Sequence, residues 1–170
     1  AQVSAVAGYE VVLQDVNPES LERAKASITE SLARFVSKER ISEPEAGLAL
    51  TRIHTTTDLS DVAEADIVIE AVFENLDVKT AIFSELDAIC KPTAVLATNT
   101  SSISVTAIAN GLKHPQRMVG MHFFNPVPLL PLVEVIAGPE TDPALAQRVS
   151  DIAVAWGKTP VRAKDTPGFI

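Results

Sequence analysis

An α/β fold built on a mostly parallel sheet is predicted by two features of the sequence. Short apolar runs of strand character alternate with segments of helical periodicity, the pattern of parallel strands joined by crossover helices. The chain is also long enough, at 170 residues with 46% apolar side chains, to bury a full core as a single domain over 1–170.

The elements follow in order. AQVSAVA reads as the second half of a helix, and Gly8 stands where a C-terminal cap belongs. Residues 9–15 (YEVVLQD) form a strand that ends in an acid. A helix over 18–38 comes next, with Asn17 as cap, Pro18 in its first position and Leu21, Ala24, Ile28, Leu32 and Phe35 on one face. Residues 52–56 are a short strand and 66–72 (DIVIEAV) a buried one. Residues 76–89 are helical, with Val78, Ile82, Phe83, Leu86 and Ile89 apolar. A strand over 94–98 and a short helix over 105–110 follow. Two strands, 118–124 and 132–136, flank a loop carrying Pro126, Pro128 and Pro131. A helix over 143–156 and a strand over 159–163 close the chain.

Composition narrows the function. Twenty-two acidic against 14 basic residues leave a net charge of −8, a poor match to nucleic acid or an anionic membrane. The single cysteine, Cys90, allows no internal disulfide and points to a reducing compartment, bacterial cytoplasm or mitochondrial matrix. No apolar run approaches the roughly 20 residues that span a bilayer. No His, Cys and Asp cluster has metal-ligand spacing, so no metal is expected. The absence of a G-x-S-x-G turn speaks against serine-hydrolase chemistry.

Three places carry polar side chains that chemistry could use. Asp15, at the carboxyl end of a strand that enters a helix, can accept hydrogen bonds from a ribose, or it is a plain turn acid before Asn17 and Pro18. Asn99, Thr100, Ser101 and Ser102 follow a strand at the edge where α/β folds bind ligands. A helix cap accounts for Ser102 or Ser104, but not for Asn99 and Ser101. The third place is His122 with Glu134. An acid inside the apolar run LVEV wants a buried partner, and two strands joined by the proline loop can supply the imidazole. Such a carboxylate fixes the ring tautomer and stabilises the charge the ring gains as a general base. His54 and His114 read as ordinary surface histidines. Glu74 and Lys79 flank a helix start, as crevice residues or solvated ones. Ser31, Arg34 and Lys38 share a helix face, seven residues being about two turns; that face is solvated or meets a phosphate.

The segments VVLQDVNPE, DIVIEAVFENLDVK, ATNTSSIS, GMHFFNPVPLLPLVEV and GKTPVRAKDTPGFI, in this order, resemble the 3-hydroxyacyl-CoA dehydrogenase family over nearly all 170 positions. The resemblance implies a Rossmann-type doubly wound sheet and oxidation of 3-hydroxyacyl-CoA to 3-oxoacyl-CoA with NAD. In that reading His122 takes the hydroxyl proton, Glu134 orients it and Ser101 binds the substrate oxygen. Asp15, Glu74, Lys79, Asn99 and Asn125 line the cofactor site, and Ser31 and Lys38 contact coenzyme A. The charge of Asp15 favours NAD over NADP. Against the family pattern, the first strand and its glycine-rich loop, a later active-site asparagine and a helical C-terminal dimerisation domain are missing. A truncated and inactive domain of a homodimeric parent is therefore expected. Two other readings stay open, a non-catalytic relative that binds NAD or CoA, and another Rossmann hydroxy-acid dehydrogenase.

Overall fold

In the computed structural model, which describes residues 1–166 and 168, helix α1 (Gln2–Val6) ends where the sequence predicts. Gly8 takes φ +97, and the N–H groups of Gly8 and Tyr9 donate to the carbonyls of Ala5 and Ser4. This closes the helix in a Schellman turn, a conformation that glycine adopts without strain. The chain packs as two units, Ala1–Asp61 and Val62–Ile170, each with its own sheet.

In the first unit, strand β1 (Val11–Gln14) pairs in parallel with β2 (Ile53–Thr56). Helix α2 (Pro18–Ser37) starts as expected: the Asn17 side chain accepts from the Glu19 N–H, and Pro18 opens the first turn. Leu32, Ala5, Ala46, Ala49 and Ile53 form the core, with Leu13, Ile28 and Val36 packed against it. Part of that core comes from a helix that apolar periodicity does not announce, α3 (Glu43–Thr51). Its signal is the capping box, in which Ser42 and Glu45 satisfy each other's backbone N–H groups.

The second unit holds a five-stranded sheet in the order β3-β4-β5-β6-β7. Strands β3 (Ile67–Glu70), β4 (Val95–Thr98) and β5 (Met118–Phe123) run parallel. Strand β6 (Leu132–Ala137) pairs antiparallel with β5, and β7 (Thr159–Lys164) parallel with β6. The proline loop between β5 and β6 is therefore a return rather than a crossover. Helices α4 (Leu76–Ile89), α5 (Val105–Ala109) and α6 (Pro143–Ala155) complete the unit. Gly120 lets β5 sit under α5: a Cβ there would lie 2.9 Å from both Val105 Cγ2 and Ile136 Cβ. Among the described residues no helix is long and apolar enough to cross a membrane.

Helix α4 falls where the sequence predicts a helix and buries charged as well as apolar side chains. Phe83 and Leu86 are buried, Val78 is 40% exposed, and the buried stripe runs through Lys79, Phe83, Leu86 and Asp87. Its two charged members, Lys79 and Asp87, both find buried partners. At the carboxyl end of α4, Asp87 accepts from the Lys113 and His114 N–H groups and from Arg117 Nε at 2.9 Å. Burial opposes ionisation of Asp87, but the hydrogen bonds and charge of Arg117 and the Lys113 N–H hold its carboxyl below its ordinary value. Its stabilising effect is thus present above the unfolded carboxyl value and is lost as pH falls through the lowered one. Replacement Asp87→Ala, which strands the buried Arg117, lowers stability by about 3–5 kcal/mol in urea unfolding at neutral pH, and the deficit narrows in acid.

Candidate functional site

The register of the second sheet brings the polar residues to one edge. Glu70 lies opposite Thr98, and Thr98 opposite Gly120, so β3 and β4 end on the same row. Strand β5 runs past that row to His122, which lies opposite Glu134 in the antiparallel ladder. Facing residues in such a ladder project to the same side. Here His122 Nδ1 is 2.6 Å from Glu134 Oε2, with the two side chains 16% and 4% exposed. A carboxylate only accepts, so Nδ1 carries the proton and the basic lone pair belongs to Nε2. The ring of Phe124 lies 4.8 Å from the imidazole and helps fix its plane.

The loop after β4 is tied to this pair. Asn99 accepts the Phe123 N–H through Oδ1 at 2.8 Å, joining the end of β4 to the end of β5 next to His122. Glu74 organises the next three residues. Its Oε1 accepts from the Thr100 hydroxyl, from the N–H groups of Ser101 and Ser102 at 3.2 Å, and from the Ser102 hydroxyl at 3.0 Å. Ser101 is exposed beyond that knot. Burial works against ionisation of Glu74, but hydrogen bonds from Thr100 and Ser102 and the charge of Lys79 prevail, and the carboxyl is held down to about 2.

Lys79 is buried, with Nζ 2.6 Å from Glu70 Oε1 and 3.4 Å from Glu74 Oε2. Asn125 is exposed at the start of the proline loop, directly before a cis bond to Pro126. That loop is held by Lys158, whose ammonium donates to the carbonyls of Val127 and Leu130. Burial pushes the Lys158 pKa down. Asp165 accepts from the Ser104 hydroxyl and the N–H groups of Val105 and Thr106, which places the segment after β7 on the start of α5. Ser104 itself is the α5 cap.

The other predicted residues belong to the first unit. Asp15 follows β1, with Oδ1 accepting the Asn17 N–H at 2.8 Å. Ser31 is half-buried on α2, and Lys38, at its C-terminal cap, is exposed. Arg34 between them pairs with Glu30 at 3.8 Å on the helix surface. Sequence reasoning missed Glu70, Thr98, Lys158 and Asp165. For Glu70 a signal existed, an acid closing an apolar strand, the same observation that singled out Glu134.

A mostly parallel sheet that gathers polar side chains at the carboxyl ends of its parallel strands is the arrangement of a Rossmann-type nucleotide-binding domain. The model of the family described as 3-hydroxyacyl-CoA dehydrogenase, NAD binding domain, matches residues 1–166, and the chain belongs to that family. It is 46% identical, over its full length and 61% of the relative's, to a probable 3-hydroxybutyryl-CoA dehydrogenase of Deinococcus radiodurans. Among solved structures it resembles the 3-hydroxybutyryl-CoA dehydrogenase of Escherichia coli K12, with TM-score 0.97, 43% identity and coverage of 99% of this chain and 36% of that one. It also resembles the (S)-3-hydroxybutyryl-CoA dehydrogenase of Ralstonia eutropha, with TM-score 0.96, 39% identity and coverage of 99% and 60%. The chain thus spans a third to three fifths of the length of these relatives.

The Glu74 knot makes its own prediction. Thr100→Val removes one donor to the carboxylate, so the Glu74 midpoint, followed by carboxyl NMR, moves up from about 2.

Proposed function

We propose that the protein oxidises 3-hydroxyacyl-CoA thioesters to 3-oxoacyl-CoA with NAD, and that this chain is its cofactor-binding domain, 1–170. The observation that carries the reading is the 2.6 Å contact between His122 Nδ1 and Glu134 Oε2, beside a loop that presents Ser101. Oxidation of a secondary alcohol needs a base at the hydroxyl and an acceptor for the hydrogen on carbon. Nε2 of His122 takes the hydroxyl proton as the C3–O bond becomes a carbonyl. Glu134 holds the ring in the required tautomer and balances the charge it gains. Ser101 donates to the substrate oxygen and orients C3. NAD, when bound, would supply the acceptor for the hydride from C3.

The residues present suit that cofactor. Asp15 spends one carboxylate oxygen on the Asn17 N–H, and its other oxygen can take a ribose hydroxyl. Its charge repels a 2′-phosphate. Glu74, Asn99 and Asn125 are assigned to the cofactor as well, Asn99 through the amide nitrogen left after Oδ1 has bound Phe123, whereas Lys79, buried among Glu70, Glu74 and the Val72 carbonyl, serves it through Glu74 rather than by contact. Ser31 and Lys38 are assigned to coenzyme A, Lys38 as an exposed cation for its phosphates. The parent is proposed to be a homodimer of bacterial cytoplasm or mitochondrial matrix. The buried thiol of Cys90 agrees with a reducing compartment.

The test is NADH consumption with acetoacetyl-CoA by the full-length protein beside His122→Gln. Loss of a general base lowers kcat by roughly 10²–10⁴-fold. Absence of turnover by the unaltered protein, with NADH still bound, defeats the reading for this substrate.

A further inference from the structure

We propose that Glu70, through the ammonium of Lys79, is a positioning residue that fixes Glu74 and so holds the backbone from which Ser101 reaches the substrate. The inference rests on the role given to Ser101 above and adds a residue that has none there.

Glu70 ends β3 with its side chain 1% exposed. Its Oε1 accepts from Lys79 Nζ and from the Val72 N–H, both at 2.6 Å, and its Oε2 accepts the Thr98 hydroxyl at 2.7 Å. The carboxylate is therefore held by β3, β4 and α4 together. Lys79 is as deeply buried, and its three protons face Glu70 Oε1, Glu74 Oε2 at 3.4 Å and the Val72 carbonyl at 3.4 Å.

Glu74 differs from both. Its side chain is 38% exposed, on a stretch of chain outside any strand or helix. A half-solvated glutamate has several rotamers open to it, and packing does not select among them. Selection comes from a division of labour between its oxygens. Oε1 gathers the loop donors of Thr100, Ser101 and Ser102, while Oε2 faces Lys79. The fixed point of this chain of contacts is Glu70, the one carboxylate of the two that the fold immobilises. Without it, Lys79 is a buried cation with one longer carboxylate contact and a carbonyl, which disfavours its staying in place.

Stability does not account for the arrangement. A buried ion pair is often no more stabilising than apolar residues of the same volume. A pair set between β3 and α4 solely to hold them together could be replaced by two apolar side chains. Its particular property is a charge at a fixed point below Glu74.

The experiment compares the full-length protein with Glu70→Gln, Thr98→Val, Lys79→Met and the double variant Glu70→Gln/Lys79→Met. Two readouts are taken, hydrogen exchange of the Ser101 and Ser102 amides, which needs no substrate, and kcat and KM with acetoacetyl-CoA and NADH. In Glu70→Gln the two amides exchange roughly tenfold faster while those of β4 do not. Loss of alignment then lowers kcat by roughly 10–100-fold with the KM for NADH little changed. Because Glu70 acts through Lys79, adding Glu70→Gln to Lys79→Met deepens neither effect. Thr98→Val, which removes one hydroxyl from Glu70, shows the same changes in smaller measure and decides the matter if Glu70→Gln does not fold. Unchanged exchange at Ser101 and Ser102 in a folded Glu70→Gln or Thr98→Val overturns the proposal. Failure of the unaltered protein to turn over acetoacetyl-CoA overturns the dehydrogenase reading instead, and the exchange result still decides the role of Glu70.

Discussion

Antiparallel pairing of β5 with β6 is the constraint on which the site depends. Had the proline loop been a crossover, Glu134 would lie at the far end of a parallel strand, away from the end of β5. The return sets Glu134 directly across from His122, and the pleat turns both side chains to one face. Burial supplies the force that keeps them together, since a carboxylate within a sheet has a high desolvation cost unless a donor meets it. The short His–Glu contact therefore follows from register, and register from the loop.

Charge is placed within this unit by the same rule at both ends of α4. The helix buries Lys79 near its start and Asp87 near its end, with Phe83 and Leu86 between them. Lys79 reaches the carboxyl edge of the sheet, where Glu70 and Glu74 meet it. Asp87 reaches the opposite end, where it collects Arg117 and the N–H groups of Lys113 and His114. One helix face thus carries apolar packing in its middle and a polar anchor at each end. Both anchors orient loops, and the one at the carboxyl edge orients the loop that carries Ser101.

Much of this was legible in the sequence. The alternation of apolar runs and helical patterns depends on local periodicity, so it located the strands and most of the helices to within a few residues. Asn17, Gly8 and Ser104 act as caps because capping involves only near neighbours in the chain. The pairing of His122 with Glu134 was inferable because an acid in an apolar strand is an anomaly with few solutions. Helix α3 lacks an apolar stripe, its small alanines being buried without one, and only its capping box marks it.

What the sequence determined by itself was the order of elements, the caps and the residue types available for chemistry, all set by interactions a few residues long. Tertiary structure alone decided that Glu74 uses one oxygen for three consecutive loop residues, that Asn99 holds β5, and that Lys79 rather than Val78 faces inward. Those outcomes depend on partners 9 to 28 positions away along the chain, brought near only when the sheet forms. Hydrogen-bond geometry between such groups has no local signature. It is selected by what the folded interior leaves unpaired.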